Sequence, residues 1–459
     1  MTTIEIARVA SLYVPLCLVA VLWMAAPPPP RVRAAALLAT AWTLPTLIGV
    51  HVAAARLGWW TFAATRATIA GFPVDLWVGW ALLWGAIPAL LPRRMPVTAV
   101  VAAALLIDVI AMPQLQPVVQ LGPRWFMGDI VAIAICLVPA QLLARWTADD
   151  RFVRRRATLQ MLIFGGLTFG ILPHAILENT GASWAPLLDR PGWINGLLVQ
   201  LVAFAALLGV SALQEFATRG RGTPVPFDPP TRLVLSGPYA YVRNPMQLSA
   251  ALAMAGWGAM LESWLVAAAG VVAVIYGAGF AAGDEGSDLS RRFGDDWTRY
   301  TRGMRAWVPR WRPIDASLVS PDSRRATLYV AEECGPCSEV RRWFDAREPI
   351  ALDIVAAERH PTRTLRRVTY DPGDGSGDAE GIIALGRALE HVHFGWAMIG
   401  MVARLPGVAQ SLQLIADASG GAPRTTIRYC DRALVPDDAQ LSSSEPAEAL
   451  ARTSAGFTL

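Results

Sequence analysis

Lysine is absent from this chain, so each of its 40 basic residues is arginine. An all-arginine, alanine-rich chain points to a GC-rich genome and carries no mechanism. Charge of either sign is scarce: 17% of the 459 residues are charged against 54% hydrophobic, and mean hydropathy is +0.39. That balance excludes a soluble enzyme. The net charge of +4 is small and spread over loops, with no single basic stripe. Nucleic acid is therefore excluded as a partner. Cysteine and histidine number five each. Zinc at Cys334 and Cys337 would need two more ligands, with only Cys430, His391 and His393 as candidates, so no metal is expected. No basic segment precedes the first apolar run, Ile4 to Ala26. It is also long for a removable leader and ends at Pro27–Pro30, and it reads as a retained helix.

Long apolar runs are what the chain does have. About nine stretches approach the ~20 residues that a bilayer requires. They cover roughly 4–26, 34–55, 73–92, 96–113, 126–145, 157–178, 193–216, 246–262 and 264–282. Only Leu91-Pro92-Arg93-Arg94-Met95-Pro96 separates the third from the fourth. The expected fold is mainly α: a polytopic membrane helix bundle with a small C-terminal α/β domain. Arginines cluster in loops after odd-numbered spans, for example Arg151, Arg154, Arg155 and Arg156, and thin out after even-numbered ones. The positive-inside rule then puts the N-terminus outside and the C-terminus in the cytoplasm of a multi-pass inner (plasma) membrane protein. The Arg243 turn and the exit from Glu285 to Pro313 fall on the same cytoplasmic face.

Few polar residues lie within or near the spans: His51, Asp108, Asp129, His174 and Glu178. Such groups line a cavity or, near span ends, snorkel to the interface. Asp129, His174 and Glu178 sit near span ends. Gly166 and Gly170 form a small-xxx-small pattern, which indicates close helix packing. Cys17 and Cys136 lie in spans and read as small buried packers.

The stretch from Leu235 to Pro313 is the most informative. It reads Gly237-Pro238-Tyr239, then Tyr241-Val242-Arg243-Asn244-Pro245-Met246, then an apolar hairpin. It closes with Glu285, Leu289, Phe293-Gly294, Tyr300 and Val308-Pro309-Arg310-Trp311. A polar, arginine-bearing turn and a charged amphipathic exit thus flank a short membrane hairpin. Arg243 can grip a carboxylate in a bidentate fork, and Glu285 can pair with an ammonium. Tyr239, Tyr241, Trp257, Trp297 and Tyr300 offer ring faces for stacking or for a cation. Gly237-Pro238 permits a tight turn. The plainer alternatives are a positive-inside anchor for Arg243, a surface partner of Arg291 or Arg292 for Glu285, and an interfacial belt for the aromatics.

Together with Gly222-Thr223-Pro224 and Asp228-Pro229-Pro230, these motifs make residues 222–313 resemble the isoprenylcysteine carboxyl methyltransferase and phospholipid methyltransferase superfamily of membrane enzymes. Gln247 stands where the family has Tyr, Gly286 where it has a second Glu, and Trp297 where it has the first Tyr. The resemblance implies an S-adenosylmethionine-dependent methyltransferase. It implies catalytic roles for Arg243 and Glu285. It also implies cofactor contacts from Gly237, Tyr239, Tyr241, Arg243, Asn244, Pro245, Gln247, Glu285, Leu289 and Tyr300. The acceptor it implies is a carboxylate or thiol on an isoprenoid or other lipophilic molecule. Methyl transfer is an in-line displacement that needs alignment and exclusion of water more than a strong base, which suits a site with no His–Asp constellation. For an amine acceptor, Glu285 or Asp284 could assist proton loss.

After Pro313 the composition turns polar. A strand at Thr327 to Ala331, then Cys334-Gly335-Pro336-Cys337, a helix from about Ser338 to Arg347 and a strand at Ile350 to Val355 give a thioredoxin-like redox layout. Cys334 would be the nucleophile at the helix N-terminus and Cys337 the resolving thiol. With Leu405-Pro406-Gly407-Val408, the segment resembles the small thiol-disulfide oxidoreductase family named for its Asp-Cys-Cys signature, although Glu333 replaces the Asp. His391 and His393 read as helix-end or surface residues. The expected domains are a transmembrane bundle (1–192), a methyltransferase-like membrane domain (193–313), a linker (314–325), a thioredoxin-like cytoplasmic domain (326–435) and a disordered tail (436–459). The leading expectation is a membrane methyltransferase whose partners are the membrane, a lipophilic substrate and a thiol redox partner. The alternative is a membrane-anchored thiol-disulfide oxidoreductase using Cys334 and Cys337.

Overall fold

The computed structural model describes residues 3–63, 67–91, 95–116, 118–225, 228–276, 282–320, 323–332 and 335–421. Among them, six helices are long and apolar enough to cross a membrane. Thr3–Ala25 (α1) and Pro30–Leu57 (α2) come first. The third expected span is interrupted, as Val74–Trp84 (α3) and Ala86–Leu90 (α4). Pro88 has no N–H to close a bond to the Trp84 carbonyl four residues back. The Gln141 amide donates to that carbonyl at 2.7 Å and to Gly85 at 3.3 Å, so the broken turn is satisfied inside the bundle. Val97–Gln114 (α5), Trp125–Ala148 (α6), Val153–Thr180 (α7) and Gly192–Thr218 (α8) are the other long helices. Both α6 and α7 widen into a π-helical turn just before a proline, at Ile133–Leu137 and Gly166–Ile171. A wider turn accommodates a ring that cannot donate.

Pro245–Met260 (α9) and Trp264–Tyr276 (α10) form the expected apolar hairpin. The 16 residues of α9 extend about 24 Å, less than the ~30 Å hydrocarbon core. Among the described residues, six of the nine expected spans coincide with long helices and three with shorter apolar helical segments. Ala282–Gly303 (α11) is amphipathic and bends at Gly294, whose φ is 52°. Near the N-terminal bundle, Trp60–Phe62 (β1) pairs with Val119–Leu121 (β4), and Thr68–Ile69 (β2) pairs with Phe72–Pro73 (β3).

The C-terminal unit has a four-stranded sheet. Ala326–Val330 (β5) runs parallel to Leu352–Ala356 (β6) and antiparallel to Thr369–Asp371 (β7), which pairs with Ala379–Glu380 (β8). The order is β6-β5-β7-β8. Gly335–Asp345 (α12), Gly381–Leu389 (α13), Phe394–Ala403 (α14) and Val408–Ala416 (α15) complete it. Strand, helix and strand follow one another in the expected order, within about three residues of the expected bounds. Leu328, Val330, Phe344, Tyr370 and Ala384 form its core.

Two readings from sequence are corrected. Cys17 is exposed on α1, an outer helix with few buried side chains, whereas Cys136 is buried as expected. Asp129, although near a helix end, is buried in the bundle. His174 and Glu178 do sit half-exposed near the end of α7, 3.7 Å apart. Gly166 lies against Pro45, while Gly170 faces open space.

Candidate active site

The first motif folds as a short 3-10 turn, Gly237–Ala240, that leads into α9. Gly237 has a φ of 60°, and a Cβ there would lie 2.6 Å from Cγ of Glu215. Only glycine meets both demands. Asn244 precedes the first turn of α9, where buried Pro245 has no N–H to leave unsatisfied. Gln247 is exposed.

The exit segment closes over this turn. The Arg243 and Asn244 amides donate to the carbonyls of Arg305 and Ala306 at 3.0 and 3.2 Å. The Arg310 and Ile314 amides donate to Tyr241 and Ala240 at 2.8 and 2.9 Å. Buried Tyr300 donates its hydroxyl to the Tyr239 carbonyl at 2.8 Å. The two motifs, about 60 residues apart in sequence, are thus one structural unit. Burial pushes the Tyr300 phenol above its ordinary range, against the pull of the nearby Arg243 charge. It therefore remains a donor at neutral pH.

Arg243 is half-buried at this junction, and its guanidinium has no hydrogen bond or ion pair with another described residue. Leu289 is half-buried on α11. Glu285 lies in the same helix, but its side chain is outside the described residues, so the Arg243–Glu285 geometry is too. Arg291 and Arg292 bond to Asp288, at 3.4 and 2.6 Å. Trp297 packs beside Tyr300. Trp257 lies at the far end of α9, where it donates to the Phe169 carbonyl.

Tyr241 turns the other way. Its hydroxyl donates to the Glu390 carbonyl at 2.7 Å and its ring meets Phe394 edge-on. Burial, aided by the Glu390 charge, keeps this phenol protonated as well. Leu207 and Leu208 of α8 pack with Ala397, Met398 and Met401 of α14. The C-terminal unit therefore rests directly on the back of the first motif.

Glu215 sits at the centre of that contact, and sequence reasoning missed it. It is 0% exposed. It accepts hydrogen bonds from Ser236 at 2.8 Å and from Arg387, pairs with Arg219 at 3.1 Å, and has Arg404 at 3.6 Å. Arg404 is bonded to Glu390 and Arg219 to Asp374. Three guanidiniums thus meet three carboxylates, with the charges matched. Arg219 holds the Asp374 carboxyl below its ordinary value in spite of burial. A lone acidic residue at the end of an apolar helix was the signal available.

Asp228 is also held by two side chains, one of them distant in sequence. Buried Arg156 donates to it at 2.7 Å and Thr223 at 3.1 Å. In the C-terminal unit, Cys337 is half-buried against the sheet core, and Cys334 lies outside the described residues. His393 caps α14 and stacks on Trp311 at 4.5 Å. His391 lies half-buried in the turn after α13, as a helix-end residue, between the Tyr370 hydroxyl at 2.9 Å and the Ile350 carbonyl at 2.7 Å. Burial lowers its pKa.

Comparison with known proteins gives one family match: residues 195–295 match the phospholipid methyltransferase family. The match takes in α8 with Glu215, the Gly237–Pro245 turn, the α9–α10 hairpin and the first half of α11. No curated protein and no solved structure matches the chain. The family match, together with the long apolar helices, supports a membrane methyltransferase.

Proposed function

We propose that the chain is an integral-membrane methyltransferase that uses S-adenosylmethionine and acts on a lipophilic acceptor, a carboxylate or thiol on an isoprenoid or similar molecule. The observation that carries this reading is the junction of the two motifs: Tyr300 and the 305–314 segment close over the Gly237–Pro245 turn and leave the half-buried Arg243 guanidinium without a partner among the described residues. A guanidinium so placed suits the carboxylate of the methyl donor. The donor would supply an electrophilic methyl group on a sulfonium. Arg243 would orient the donor's carboxylate, and Glu285 would pair with its ammonium. The Tyr239–Tyr300 contact would hold the turn rigid, and the apolar hairpin would admit the acceptor from the bilayer while excluding water.

The turn, the exit segment and the C-terminal unit share one side of the molecule, which supports placing all three on the cytoplasmic face. The β6-β5-β7-β8 order supports a thioredoxin-like reading of the C-terminal unit. Calorimetry with S-adenosylmethionine on the full chain in detergent tests the proposal. Arg243→Ala should weaken binding about 10- to 100-fold, the loss of a charge-assisted pair. Glu285→Ala should weaken it as well, whereas Cys334→Ser with Cys337→Ser should not. Absence of donor binding by the wild type would overturn the reading.

A further inference from the structure

A cavity of about 40 Å³ lies in the N-terminal bundle, outside the segment that matches the methyltransferase family. Its walls are mostly apolar, with aromatic faces from Trp60, Phe62, Phe72 and Trp84 among them. Two polar side chains also line it, His51 of α2 and Asp129 of α6, each 4% exposed. Nδ1 of His51 and Oδ2 of Asp129 have no hydrogen-bond partner among the described residues. One edge of the His51 ring is bonded to the backbone of Ala70, and Phe62 and Phe72 hold the ring with centroids 5.0 Å away. A neutral imidazole that donates on one edge presents an acceptor on the other. Behind Asp129 stands Asp108, 1% exposed, its carboxyl against that of Asp129 and the Trp80 indole.

The chemistry of this pocket is one-sided. Two acceptor atoms at the cavity, His51 Nδ1 and Asp129 Oδ2, lack partners among the described residues, and an unpartnered donor beside them is the Trp84 indole N–H. No arginine is paired with either carboxyl among the described residues. Buried polar atoms in a membrane bundle are costly unless something satisfies them. The missing complement must donate hydrogen bonds, and the aromatic faces favour that it be a cation. A water needs roughly 10–15 Å³ of such space, so the cavity holds about three non-hydrogen atoms. We propose that this cavity binds a primary ammonium group, with its N–H donors on Asp129 and His51 and its charge against the aromatic walls.

Tryptophan fluorescence of the full chain in detergent tests the assignment, with ethylammonium and octylammonium as probes and ethanol as the neutral counterpart. Saturable binding of ethylammonium, and none of ethanol, is expected in the wild type. Tighter binding of octylammonium would identify a lipophilic amine as the source; equal affinity would identify a small free amine. Asp129→Asn should weaken ethylammonium binding at least 10-fold, with an unchanged thermal midpoint as the control for folding, and Asp108→Asn is a second variant. A cavity that holds only water would give no saturable response to either amine. That result, or equal responses to ethylammonium and ethanol, would overturn the proposal from the wild type alone.

Discussion

Gly237 carries a conformational and a steric demand at once, because its φ of 60° and its approach to Glu215 both forbid a side chain. Gly237→Ala should therefore lower stability by roughly 1–3 kcal/mol, read as a fall in the thermal midpoint in detergent. Gly286→Ala is the matched control. Gly286 lies in α11 with open space around its Cβ direction, and alanine there should leave the midpoint unchanged or raise it. The need for glycine at 237 was legible in the sequence, since Gly-Pro before two tyrosines marks a tight turn. Glu215 was not legible, because its partners Arg387 and Arg404 lie 172 and 189 residues away in another unit. No local pattern encodes that contact. Arg243 was legible as a motif residue. That it has no partner among the described residues is a tertiary fact.

At the scale of elements, hydropathy found the long helices because lipid demands about 20 apolar residues from each. It did not foresee the interruption at Pro88 or the 16-residue length of α9. There, an interruption satisfied by Gln141 and a short helix look the same as a span when only composition is read. Charge patterning failed differently. Arg156 reads as one of several arginines in a loop, yet it is buried and ties α7 to Asp150 and Asp228. Asp150 lies in the α6–α7 loop, where its hydrogen bond with Arg31 holds its carboxyl below the ordinary 3.8, helped by the charges of Arg31 and Arg156. A depressed carboxyl stabilises the fold fully above its unfolded pKa and loses that contribution as pH falls through the folded value. Thermal midpoints of the wild type and Asp150→Asn should therefore differ at neutral pH and converge well below pH 3.8. Since the Asp150 side chain is 55% exposed, the neutral-pH difference should be less than about 1 kcal/mol. A difference that persists at the acid end would show that the charge is not the cause.

At the scale of the whole molecule, the C-terminal unit is part of the scaffold behind the candidate site. Tyr241, Glu215 and Arg219 all bond across to it, and α14 packs apolar side chains onto α8. Leu207 lies 11 residues before the Thr218 end of α8, about 16 Å along the axis, so α14 lies alongside the membrane helix rather than clear of it. Truncation after residue 320 would remove Arg387, Arg404 and Glu390 together. Glu215 would keep Arg219 and Ser236 but lose the two guanidiniums that shield it, and Leu207, Leu208 and Tyr241 would lose their cover. Breaking a buried charge network costs about 3–5 kcal/mol, and the uncovered apolar surface adds to that. The truncated chain should therefore unfold at a lower temperature in detergent than the full chain and bind S-adenosylmethionine more weakly, although Arg243 and the 305–314 segment are intact. Glu215→Ala in the full chain should shift both measurements the same way by a smaller amount. If the truncated chain kept the full chain's midpoint and affinity, the unit would be an appended module whose contacts with the first motif do not support it.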